Sequence, residues 1–250
     1  MMISLSFAIA LLSIATLTQL FNKLCLPIIF RCNFTRKIYL ITASIFVPIH
    51  ELSHVIASLV FGHKINKVVL FSARSQNGKL GSVTHSWNPS SIYQTIGCFF
   101  IAIAPLVTAS IVVFLMVKST NTTIIINETN IESHYAMVEE TIRYSYILTL
   151  KLFNIDSIDN WWLAIILPLL CYHCMPSSKD FENAFFGGFV LIAGGVFAHL
   201  FNIETSIDGE LQIMALQIIT TMLCATLLGL FFCASLTAIA LMMFKEQQNG

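Results

Sequence analysis

Apolar residues run along this chain in long unbroken blocks, and the charged residues fall between them. Six blocks stand out, at 2–21, 38–62, 91–117, 161–175, 184–203 and 212–244, and Glu51 is the one Lys, Arg, Asp or Glu inside any of them. A hydrocarbon layer of about 30 Å takes roughly 20 apolar helical residues. Blocks of this kind predict helices that are apolar all round, which a bilayer accepts and water does not. The pattern therefore predicts an all-α polytopic membrane protein with about six transmembrane helices. The fourth block is short and runs straight into Pro176, so it is expected to stop inside the membrane, and counts from five to seven stay open. No basic stretch precedes the first block and another apolar element follows it, so it is read as a retained helix, not a cleaved signal.

Two shorter segments break the pattern. Lys67–Ser72 and Gly81–Ser86 favour strands and flank Arg74–Gly78, in which Asn77-Gly78 is a turn signal. They predict a small membrane-associated β-hairpin between the second and third helices. Farther on, 141–153 mixes apolar and charged positions and suits an interfacial helix.

Composition agrees. With 56% hydrophobic and 10% charged residues, the chain cannot cover its apolar surface as a soluble globule, and 1–250 reads as a single membrane-embedded domain in a lipid bilayer. Net charge is zero and the 13 Lys and Arg form no block, which argues against nucleic acid as a partner. With the N-terminus inside, six of them fall on the inner side and seven on the outer, so charge sets no orientation. The 7 cysteines are odd in number and mostly sit in apolar blocks, where Cys behaves as a small apolar residue. Nothing in the chain signals an oligomeric state.

Candidate chemistry sits midway along the second block, where His50-Glu51-Leu52-Ser53-His54 interrupts an apolar helix. Residues four apart share a helix face, so His50 and His54 can offer nitrogens to one metal ion with Glu51 beside them. Zinc lowers the pKa of a bound water to about 7, and Glu51 can take that water's proton. A charged residue at mid-membrane costs about 2.5–3.5 kcal/mol on insertion scales, which favours a functional partner over chance. A catalytic zinc needs a third protein ligand. Asp180, beyond the helix-breaking Pro176, is the leading candidate, with a helix cap as its plainer alternative. Cys171, His173 and Cys174 are rival ligands.

These residues resemble the site-2 protease family of intramembrane zinc metalloproteases. The likeness covers roughly 38–203: His50–His54, then Gly62–Phe71 as the glycine and hairpin, and Gly97–Pro105 in a packing helix. The family usually has Asn-x-x-Pro followed by Asp-Gly, whereas this chain has His173-Cys-Met-Pro176 and then Asp180-Phe181, one residue closer and without the glycine. The resemblance implies zinc held by His50, His54 and Asp180, with Glu51 as general base. It implies that His173 stands where the family's Asn assists the substrate carbonyl. It further implies a membrane-protein substrate cleaved within or near a transmembrane segment, and a core-only member in the cell inner or plasma membrane, with hairpin and zinc on the cytoplasmic side. The rival class is a metal transporter or a metal-binding membrane protein without hydrolysis. Transport calls for polar groups along the path, and the third, fifth and sixth blocks hold almost none beyond His199.

Overall fold

The computed structural model describes residues 2–73, 80–119, 139, 142, 143, 145–147, 149, 161–200 and 209–249. Each apolar block is helical over most of its described residues. The helices are α1 (Met2–Arg31), α2 (Asn33–Val60), α3 (Ile92–Ser119), α4 (Trp161–His173), α5 (Ser178–Leu200) and α6 (Gly209–Asn249), with β1 (Lys64–Val69) and β2 (Ser82–Ser86) between α2 and α3. Among the described residues, three helices are long and apolar enough to cross a membrane: Asn33–Val60, Ile92–Met116 and Gln217–Lys245. At 13 residues and about 1.5 Å per residue, α4 is too short to span a bilayer by itself.

The faces of α2 reverse the order of a soluble helix. Ile41, Ile45, Leu52, Ile56 and Leu59, at helical spacing, are exposed, while His50, Glu51, Ser53, His54 and Ser58 are buried. Apolar side chains outward and polar ones inward suit a solvent of hydrocarbon and a polar interior site.

The short α4 lies at the centre. Its Leu163, Leu167 and Cys171 pack with Phe46 of α2, Leu106 and Val113 of α3, and Met222 and Leu228 of α6. A smaller cluster joins Ile29 of α1 to Tyr172, Met175 and Leu236. Between α1 and α2 the chain turns at Cys32, and the buried Thr35 hydroxyl lies 2.7 Å from the carbonyl of Ile29 and 3.2 Å from that of Cys32. It thus covers acceptors that the end of α1 leaves open.

Gly62, with φ 69°, stops α2 and turns the chain into β1. The first strand begins at Lys64, three residues before the sequence-based start at Lys67, because this turn leads straight into pairing. The strands are antiparallel, with Ile65 opposite His85 and Val69 opposite Ser82, and a bulge between Ile65 and Lys67. Beyond them, Ser72 N–H donates to the carbonyl of Leu80 at 2.6 Å. The expected turn at Asn77-Gly78 lies outside the described residues. So does most of the expected interfacial helix at 141–153, of which 142, 143, 145–147 and 149 are described, as helical.

Gly187 sets the distance between α3 and α5. A Cβ there would lie 2.6 Å from the Thr95 carbonyl oxygen and 2.8 Å from the Phe99 nitrogen, so backbone meets backbone. Gly187→Ala should therefore cost about 1–3 kcal/mol by overpacking. The expected result is a lower thermal unfolding midpoint in detergent, and an unchanged midpoint would contradict this contact.

Candidate metal centre

His50 and His54 stand one turn apart on the buried face of α2, and their Nε2 atoms are 3.1 Å from each other. Asp180, at the start of α5, faces both. Its Oδ2 is 3.6 Å from His50 Nε2 and its Oδ1 is 3.4 Å from His54 Nε2. Among the described residues, this is the one group of three or more His, Cys, Asp or Glu side chains that could hold a metal ion.

The outer nitrogens of the two imidazoles decide what the inner ones can do. His50 Nδ1 donates to the carbonyl of His173 at 3.0 Å, and His54 Nδ1 donates to the carbonyl of Ile101 at 2.7 Å. A carbonyl can only accept, so each Nδ1 carries a proton, and the neutral ring offers a lone pair at Nε2. Two such lone pairs at 3.1 Å, facing a carboxylate, repel unless a cation joins them. Hydrogen bonds from the far nitrogen to a backbone carbonyl are also what metal-ligating histidines ordinarily have.

Asp180 owes its direction to local structure. Ser177 and Asp180 form a reciprocal capping box at the start of α5: Ser177 N–H donates to Asp180 Oδ2 at 2.7 Å, and Asp180 N–H donates to Ser177 Oγ at 3.3 Å. The two sequence readings of Asp180, helix cap and ligand, are thus compatible in one side chain. Its signal was the Ser-x-x-Asp spacing of 177–180.

The rival ligands go elsewhere. Cys171 and Cys174 belong to the apolar core. The His173 side chain leaves the cluster: its Nε2 lies 2.9 Å from the Thr42 hydroxyl, and its ring stacks on Phe46 with centroids 6.3 Å apart. Only the His173 backbone serves the cluster, through the carbonyl that holds His50.

Glu51 is buried with its carboxyl under Gly81, the residue just before β2. The three atoms nearest to a Cβ built on Gly81 all belong to Glu51, with Oε1 at 2.5 Å. Both residues line a cavity of about 450 Å³ together with His50, His54, His173, Asp180, residues 80–85, and Asn22 and Tyr172. The Tyr172 hydroxyl donates to Asn22 Oδ1 at 3.0 Å, which brings α1 into the wall.

A second histidine pair, His63 and His85, ties the hairpin to the helices, with their Nδ1 atoms 2.9 Å apart. Burial, then the neighbouring His63, lowers the pKa of His85 to about 4. His85 is therefore neutral at neutral pH. Sequence reasoning missed Gly81, Thr42, Asn22 and this pair, since each acts through a contact between distant segments.

Comparison with known proteins found no matching family model, curated protein or solved structure.

If Asp180 is a ligand, Asp180→Ala should lose bound metal as severely as His54→Ala, because each leaves two protein ligands. Ser177→Ala should weaken retention less, by the roughly 0.5–2 kcal/mol of a helix cap. Metal analysis of the purified variants reads both, and full metal retention by Asp180→Ala would remove it from the set.

Proposed function

We propose that this chain is a multi-pass intramembrane zinc metalloprotease of about six spans, which hydrolyses peptide bonds within or near transmembrane segments of other membrane proteins. The observation that carries the reading is the buried Glu51 carboxyl beside two histidines and an aspartate that aim at one point, all opening on a single cavity.

The donor set fits zinc. Two imidazole nitrogens and a carboxylate are donors it favours, and zinc–ligand bonds of about 2.0–2.1 Å at tetrahedral angles put ligand atoms about 3.3 Å apart. The separations here are 3.1, 3.4 and 3.6 Å. His50, His54 and Asp180 would hold the ion. Bound there, zinc would supply Lewis acidity, acidifying a water and polarising a carbonyl.

The chain's own groups do the rest. Glu51 takes the proton of the attacking water and returns it to the departing amine, as general base and then acid.

β2 pairs with β1 along one edge, and residues 80–85 line the cavity. A substrate stretch unwound from its helix can add to the other edge by main-chain hydrogen bonds, which brings a peptide carbonyl toward the cluster. A helical peptide bond is shielded by its own hydrogen bonds, so this extended form is the reactive one.

His173 is suited to assist the substrate oxygen from Nδ1, since Nε2 is engaged with Thr42. That role requires the Thr42 hydroxyl to donate to Nε2 instead of to the carbonyls of Ile38 or Tyr39, which lie 3.1 and 3.0 Å away.

The direct test is the full chain in liposomes with a labelled transmembrane peptide, assayed for zinc and for cleavage. Glu51→Gln should retain zinc and abolish cleavage, and a variant as active as wild type would rule out the mechanism. His173→Ala should also retain zinc, because the carbonyl that holds His50 belongs to the backbone. It should lose about 10²–10³ in rate, the scale of one oxyanion donor. Loss of zinc from His173→Ala would make that side chain a ligand instead.

A further inference from the structure

β2 and the residue before it are fixed at two points, Gly81 against Glu51 of α2 and His85 against His63 in the turn that follows α2. At one, the Gly81 backbone lies flat against Glu51: a Cβ would fall 2.5 Å from Oε1, 2.7 Å from Cγ and 2.9 Å from Cδ. Positive φ does not explain this glycine, since Gly62 is the glycine described with positive φ. The backbone at 81 would accept alanine by itself. Glu51 is what leaves no room.

At the other point, His63 Nε2 donates to the carbonyl of Gln94 at 2.8 Å. Its Nδ1 is then an acceptor, so the 2.9 Å contact is an N–H of His85 donating to His63. The His63 ring is also held on one face and along one edge. Trp87 stacks on it with centroids 5.7 Å apart, and Gly97 approaches closely enough that a Cβ there would lie 3.1 Å from Nε2. The Gln94 amide completes the clamp, donating to the Gly62 carbonyl at 3.0 Å and accepting from Asn88 N–H at 2.7 Å.

We infer that Gly81 and the His63–His85 bond act together as a positioning device for Glu51: the clamp holds β2 down, and the bare backbone at 81 sets the direction of the carboxyl. Its consequence for catalysis rests on the peptidase reading above. The strand that would receive substrate is also the strand that orients the base. A loosened hairpin frees the Glu51 side chain to turn away from the cluster without touching any metal ligand.

Three full-length variants test this. Gly81→Ala adds a Cβ that Glu51 must move to admit. His85→Phe keeps an aromatic ring beside Trp87 and removes the N–H. His85→Asn restores a donor at the position of Nδ1. Bound zinc, kcat and KM on the transmembrane peptide, and carbodiimide-driven coupling of an amine to Glu51, quantified by mass spectrometry, are measured for each.

Gly81→Ala and His85→Phe should keep zinc and hold KM within about threefold while kcat falls about tenfold or more. Their Glu51 should couple at least about fivefold faster, and His85→Asn should return both readouts to within about twofold of wild type. Unchanged coupling in both variants, unchanged kcat despite altered coupling, loss of zinc, or failure of His85→Asn to rescue would each overturn the inference. If coupling shifts as expected while wild type cleaves nothing, the peptidase reading fails and the hairpin's hold on Glu51 stands.

Discussion

Two hydrogen bonds to backbone carbonyls organise the interior of this protein. Those from His50 to His173 and from His54 to Ile101 tie α2 to the ends or middles of two other helices. In an apolar bundle no water replaces a lost partner, so each bond fixes both a ring orientation and a helix position. In the neutral rings both inner nitrogens are thereby left as acceptors. The Asp180 carboxylate, aimed by its own capping box, then faces both inner nitrogens at 3.4 and 3.6 Å.

The surrounding packing serves the same end. Prolines lie inside α1, α2, α3 and α4 without ending them, and the break between α4 and α5 after His173 lets its carbonyl and Asp180 both approach α2. Close glycine contacts then set how near the elements come: Gly97 against Phe61, Gly187 against Thr95, Gly81 against Glu51. Small residues let backbones approach where no hydrophobic force drives helices together in lipid.

The helical elements were legible because charge-free blocks are a long-range average that little can disguise. His50, Glu51 and His54 were legible because a spacing of four is a local property of the helix. Asp180 was half legible: its capping spacing marks a helix start, but nothing local says that the start faces α2. Cys171 and Cys174 show the limit from the other side, since Cys-x-x-Cys invites a metal reading while both side chains pack in the core. Gly81 left no trace at all. Its meaning lies in the absence of a side chain opposite a residue thirty positions earlier, and only the docking of the hairpin creates that opposition. The start of β1 was misplaced for a similar reason, because the Gly62 turn outweighed residue preference.

The capping box at Ser177 and Asp180 couples the cluster to chain topology. The three side chains come from two helices far apart in the chain, and closing the long connection between those helices costs entropy. A cation gripped by all three would act as a cross-link between α2 and the first turn of α5. Chelation would then be part of assembling the bundle, and an inserted chain that had not yet met its ion would have its helices made but their final docking incomplete.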